Sequence, residues 1–194
     1  MKRLARKNLG DVELLPEDDA PYMRAVASGD LSALGVLYDR HYVAVRQFLR
    51  RMGLDGAEAD DVAQDVFLSV RQCAARYDGR SSARPLLLGI AARRSMRARD
   101  RLRRWARALV LSPLAAPAPR PDELLERADA HRLFDAALGR ISERKRVVFI
   151  MMEREGMSSR EVADALDVPI GTVWTRLFHA RAELVRRLSR GGAG

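Results

Sequence analysis

Ser158-Ser159-Arg160-Glu161-Val162-Ala163-Asp164-Ala165-Leu166-Asp167-Val168-Pro169-Ile170-Gly171-Thr172-Val173-Trp174-Thr175-Arg176-Leu177-Phe178-His179-Ala180 decides the fold of this chain. Ser158 and Glu161 form a Ser-x-x-Glu capping box, which starts a short helix carrying Val162, Ala163 and Leu166. Asp167-Val168-Pro169 breaks that helix, because Pro lacks the N–H a helix interior needs. A longer helix follows, with Val173, Leu177, Ala180, Leu184 and Leu188 recurring at three- and four-residue steps as its buried stripe. Ala163, Asp167 and Val173 take the small-residue, turn and core positions of a helix-turn-helix; Asp tolerates the left-handed backbone required at such a turn. Thr172, Trp174, Thr175, Arg176, Phe178, His179 and Arg181 fall on or beside the opposite face, within the half of the helix that such motifs place in a DNA major groove. Thr and Phe suit a thymine methyl and Arg forks onto guanine. Trp174 and Phe178 would be costly to expose without a partner surface.

The composition agrees with a polyanionic partner. The 194 residues carry 35 Lys plus Arg against 26 Asp plus Glu, a formal charge of +9 and a pI near 10.6. All basic residues except Lys2, Lys7 and Lys145 are arginines, whose planar guanidinium pairs with phosphate and stacks on bases. At 47% hydrophobic and 31% charged residues, the chain is too apolar for disorder and too polar for a membrane protein. With no apolar leader and no run long enough to span a bilayer, it is expected to be cytoplasmic, without membrane insertion. Cys73 is the lone cysteine and reads as a small buried thiol, so neither an internal disulfide nor a thiolate zinc site is expected. No cofactor is implied.

Outward from the motif, the chain reads as all-α: two small helical domains joined by a Pro-rich linker. Residues 1–25 form a polar, Pro-containing N-terminal extension. The first domain, 26–108, opens with a helix at Leu31, where Leu34, Leu37, Tyr38, Tyr42, Val45, Phe48, Leu49 and Met52 make one stripe closed by Gly53. A second helix, Glu58 to Tyr77, puts Val62, Val66, Phe67 and Val70 on one side, with Asp60, Asp61, Gln64 and Asp65 largely off it. A third opens near Pro85 and becomes strongly basic: eight arginines and a single acid, Asp100, lie between Arg93 and Arg107. Pro113, Pro117, Pro119 and Pro121 mark a linker over 109–123, and helical periodicity resumes in a second domain, 124–194.

This order resembles the extracytoplasmic-function group of bacterial sigma factors, a branch of the sigma-70 family, from about Val26 to Leu188. The carriers are Leu34 to Arg51, Ala59-Asp60-Asp61-Val62-Ala63-Gln64-Asp65-Val66-Phe67, Asp100-Arg101-Leu102-Arg103-Arg104, and Ile170-Gly171-Thr172-Val173 with Arg176-Leu177 and Ala180-Arg181. The resemblance implies a non-enzymatic factor that binds core RNA polymerase and directs promoter-specific initiation, whereas the helix-turn-helix alone would equally fit a regulator acting without polymerase. It implies that Asp61, Gln64, Asp65 and Phe67 meet the polymerase clamp. It assigns Arg93, Arg94, Arg97 and Arg101 to the minus-ten element, and Thr172 to Arg181 to the minus-thirty-five element of promoter DNA. It also implies a repressing anti-sigma partner. The chain departs from the family pattern in the basic helix, where the usual Asn is replaced by Arg93 in one register or Met96 in another. Since no aromatic residue stands between Tyr77 and Trp105, the stacking platform for single-stranded bases is thin.

Overall fold

The computed structural model describes residues 18–79, 82–109 and 126–191; the expected linker falls mostly outside them. The described residues form helices and turns, with no strand.

The first unit contains α1 (Ala20–Ala27), α2 (Leu31–Arg51), α3 (Gly56–Cys73) followed by a short 3-10 turn, and α4 (Arg84–Leu109). Local signals set their starts. The Asp30 carboxylate accepts the Ser32 N–H at 2.8 Å to cap α2, and Asp55 with Glu58 closes a capping box on α3. Gly29, at φ +99°, makes the reversal between α1 and α2. The α2 stripe packs as its spacing requires: Leu37, Phe48, Leu49 and Met52 have no exposed surface and meet Val66 and Val70 of α3 and Leu87, Leu88 and Ala91 of α4. Each such large apolar side chain contributes about 1.5–3 kcal/mol on burial.

The expected boundary at Val26 needs correction. Met23 and Val26 of α1 lie in the same core, and Asp19 just before the helix is wholly buried. Its carboxylate accepts the Ala83 N–H at 2.7 Å, meets His41 Nε2 at 2.8 Å and pairs with Arg40 at 3.2 Å. Asp19 to Ala25, assigned to the N-terminal extension, are thus built into the first unit. The second expected helix also ends earlier than Tyr77, at Cys73, and Cys73 is only half-buried.

The second unit contains α5 (Glu126–Gly139), α6 (Glu143–Phe149) running into a π-helical turn (Ile150–Arg154), α7 (Ser159–Leu166) and α8 (Ile170–Gly191). The Ser158–Glu161 capping box forms, with the Glu161 carboxylate accepting the Ser158 N–H at 2.8 Å. Asp167 takes φ +54°, ψ +56°, the left-handed turn expected of it. Val162, Val173, Leu177, Ala180 and Leu184 close the core with Val147, Val148, Ile150 and Met151.

The two units pack on each other through α4 and α7 and share one apolar cluster. Polar groups lace the junction. Glu155 receives Arg51 at 2.5 Å and Arg84 at 2.6 Å. Arg146, 2% exposed, donates to the carbonyl of Met52 at 2.9 Å as well as to Leu138 at 2.9 Å.

Candidate nucleic-acid interface and acidic face

The outward side of α8 begins at its first turn, within the half of such a helix that enters a major groove. Trp174 is 52% and Phe178 70% exposed, unusual for such large apolar groups on a soluble surface. His179 is exposed and stands edge-on to Phe178, with ring centroids 5.5 Å apart. Thr175 donates its hydroxyl to the Gly171 carbonyl at 2.8 Å, a bond within its own helix that leaves the oxygen's acceptor capacity outward. Thr172 and Arg176 are half-buried at the edge of the face. Arg181 is bound to Glu153 in an exposed ion pair. Such a pair is worth about 0–1 kcal/mol, and a phosphate can displace it.

Burial pushes the Arg176 guanidinium below the ordinary arginine value, and the neighbouring Arg144 pushes it further the same way. An anion bound beside them would relieve their mutual repulsion. Arg144 was not among the residues expected from sequence. It lies in the Glu143-Arg144-Lys145-Arg146 run, and only the packing of α6 against α8 brings it beside the reading helix.

The four arginines expected on the minus-ten helix divide by environment. Arg97 and Arg101 are exposed. Arg94 reaches Asp65 at 3.3 Å. Arg93 donates to the Ala165 carbonyl at the end of α7, so the phosphate contact expected of it is replaced by a contact within the protein. The physical reason is orientation: Arg93 is one turn beyond Gly89, on the side of α4 that α7 crosses.

On α3, Asp61, Gln64 and Asp65 are exposed, as a partner-facing surface requires. Asp60 is separate from them: the Tyr42 hydroxyl donates to it at 2.8 Å and Arg46 binds it through two nitrogens. The Arg46 hydrogen bond first, then that of Tyr42, holds the Asp60 carboxyl below its usual value. Phe67 corrects the expected polymerase-binding set. It is 3% exposed and packs edge-on against Tyr38 at 4.9 Å, because its helical position faces α2. It forms the floor of a groove of about 450 Å³ whose rims are Leu31 and Leu68, 61% and 66% exposed. Leu68 was missed by the sequence reading; it sits four residues after Gln64, which places both on one side of the helix. No group of His, Cys, Asp or Glu among the described residues could hold a metal ion, and no helix among them is long and apolar enough to cross a membrane.

Two family models match the chain in order: sigma-70 region 2 over residues 37–114 and sigma-70 region 4 over 131–184. The RNA polymerase sigma factor NccH of Alcaligenes xylosoxydans xylosoxydans is 29% identical over 179 residues, 89% of this chain and 96% of that protein. The ECF RNA polymerase sigma factor SigM of Mycobacterium tuberculosis is 32% identical over 172 residues, 88% of this chain and 84% of that one. Among solved structures, CnrH in complex with the cytosolic domain of CnrY superposes with a TM-score of 0.65 at 28% identity, covering 90% of this chain and 99% of CnrH. The sigma factor RpoE of Bartonella quintana, solved with the anti-sigma factor NepR, has the same fold at a TM-score of 0.62 and 22% identity.

Proposed function

The chain belongs to the extracytoplasmic-function group of the sigma-70 family, and from that membership we propose how it divides the work of transcription initiation among its own residues. It is an alternative sigma factor that acts with RNA polymerase. On this reading it makes and breaks no covalent bond; the polymerase is the catalyst, and the sigma factor positions it in the cytoplasm. The exposed aromatic and basic face of α8 carries the reading furthest. Trp174, Thr175, Arg176, Phe178 and His179, flanked by Thr172 and Arg181, read and grip the minus-thirty-five element in the major groove. Arg94, Arg97 and Arg101 hold phosphates near the minus-ten element, joined by Arg93 when it is free of Ala165. The salt dependence of this contact should be steep. Asp61, Gln64 and Asp65, with the groove rimmed by Leu31 and Leu68, meet the core polymerase. The relatives solved with anti-sigma factors support an anti-sigma partner for this chain too.

A pull-down of core polymerase followed by runoff transcription tests this division. The native chain should retain the polymerase and start transcripts at one promoter, and the Asp61→Arg, Asp65→Arg double variant should lose both. Equal retention of polymerase by the charge-reversed chain would remove these residues from the interface.

A further inference from the structure

The first turns of α8 present large apolar side chains to solvent. Ile170, Trp174 and Phe178 are 47%, 52% and 70% exposed, and their four-residue spacing puts them in one stripe. From Ile170 to Phe178 the helix rises about 12 Å, roughly the width of a DNA major groove. Arg181, three residues after Phe178, continues the stripe, and Arg176 stands at the edge of the same face. An apolar stripe that runs into cations suits a nucleic acid better than the apolar surface of a protein.

Base pairs offer such a stripe one partner. Their major-groove edges are hydrogen-bond donors and acceptors, except for the C5-methyl group of thymine. An aromatic ring pressed onto one of the polar atoms would strip its water and return no hydrogen bond. Neighbouring residues strengthen the apolar character. Thr175 commits its hydroxyl donor to the Gly171 carbonyl at 2.8 Å. His179 meets the Phe178 ring edge-on, centroids 5.5 Å apart, which steadies that ring.

We propose that Trp174 and Phe178 bind the C5-methyl groups of pyrimidines in the minus-thirty-five element, so that α8 reads a methyl pattern beside the guanine contact of Arg176. The proposal rests on the assignment of α8 to the major groove. Thymine and 5-methylcytosine carry this methyl on the same ring atom. Phe178 has no polar atom in its side chain and takes either base. Trp174 has a single indole donor, which the thymine O4 accepts and the cytosine N4 amino group does not, so its position favours thymine. One helical turn separates the two rings, a rise of about 6 Å, which places the two methyl groups about two base-pair steps apart.

The holoenzyme formed by the full chain and core polymerase first selects its preferred element from duplexes randomised across the minus-thirty-five region. Each thymine of that element is then replaced by deoxyuridine, which removes the methyl and keeps the hydrogen-bonding edge. Two of the replacements should each weaken binding about fourfold, the transfer value of one methyl-sized group. Phe178→Ala should abolish the loss at one of these positions and Trp174→Ala at the other. Both side chains are exposed, so the variants should keep the native circular dichroism. At the Phe178 position a 5-methylcytosine–guanine pair should bind about fourfold tighter than the unmethylated pair. At the Trp174 position it should stay weaker than thymine–adenine.

Indifference to uracil throughout the element would overturn methyl reading while leaving α8 on DNA. Uracil losses that persist in both alanine variants would overturn the assignment to these two rings. A cytosine methyl without effect at the Phe178 position would overturn the equivalence of the two bases. Reduced retention of core polymerase by the alanine variants, with the uracil losses intact, would assign the stripe to a protein surface instead. A native holoenzyme without any base preference in the region would overturn the placement of α8 itself, and the methyl reading with it.

Discussion

The carboxylate of Asp19 accepts the backbone N–H of Ala83 at 2.7 Å, joining the residue before α1 to the residue before α4 across 64 positions of sequence. The same carboxylate holds His41 at 2.8 Å and Arg40 at 3.2 Å, so three elements meet on one fully buried group. Asp19→Ala would leave the Ala83 donor and His41 unsatisfied in the core. It should cost about 3–5 kcal/mol, the range for breaking a buried charged pair by removing one partner. Urea denaturation followed by circular dichroism checks this; a loss within the ordinary surface range of about 0.5 kcal/mol would show that Asp19 does not secure the first unit.

Asp60 contributes to stability on the acid side. Its folded carboxyl titrates below its usual value because Arg46, and then Tyr42, bond the ionised form. The sign follows: above the unfolded value of about 4 the contribution is fully present, and it is lost as pH falls through the lower folded value. Thermal midpoints measured from about pH 6 to about pH 3 should therefore fall more steeply for the native chain than for Asp60→Asn. Parallel curves would remove Asp60 from the acid response.

Much of this architecture was legible because its signals are local. The Ser158–Glu161 box and the turn at Asp167 depend on residues within a few positions of each other, and the stripe from Leu37 to Met52 repeats every three or four residues. What escaped depends on partners far away in sequence. The eight residues of α1 carry too few turns for a clear period, and the group that fixes them, Asp19, is explained only by His41 and Ala83. Gly89 resembles a defect in a helix until Ala165 is placed on it. Arg93 looks like one more phosphate ligand in an arginine run until its carbonyl acceptor is seen. Spacing set Phe67 on the apolar side of its helix while the resemblance set it on the polymerase face; its packing against Tyr38 of α2 settles it inward, and Leu68 points out.

Asp167 tests how much the turn of the helix-turn-helix relies on its backbone. Its φ of +54° is accessible to Asp and Gly but hostile to a β-branched side chain. Asp167→Val should cost about 1–2 kcal/mol, and Asp167→Gly much less. Denaturation midpoints order the three chains, and a valine variant as stable as the native one would mean that the turn had rebuilt itself.

Leu68 gives the proposed polymerase face an apolar component that charge reversal cannot probe. Being 66% exposed, it should tolerate Leu68→Glu with a stability change within about 0.5 kcal/mol. If the polymerase buries it, the loss of that contact should weaken binding by about 1.5–3 kcal/mol, tenfold or more. Titration of core polymerase with the folded variant decides the matter; unchanged affinity would confine the interface to the acidic residues.

Arg176 and Arg144 share a site but should fail differently when removed. Arg176 rises from the reading helix, where a forked contact to guanine discriminates bases, so Arg176→Ala should cost about 1–3 kcal/mol and relax preference at one position of the minus-thirty-five element. Arg144 comes from α6 and repels Arg176 in the free protein. A phosphate beside them would satisfy both charges while carrying no sequence information. Arg144→Ala should therefore weaken every duplex alike and reduce the slope of log affinity against log salt by about 1. Fluorescence anisotropy on a set of single-base variants at several salt concentrations separates the two patterns. A salt slope unchanged by Arg144→Ala would remove Arg144 from the phosphate contact, and an intact base preference in Arg176→Ala would move base reading to the neighbouring Thr175, Phe178 and His179.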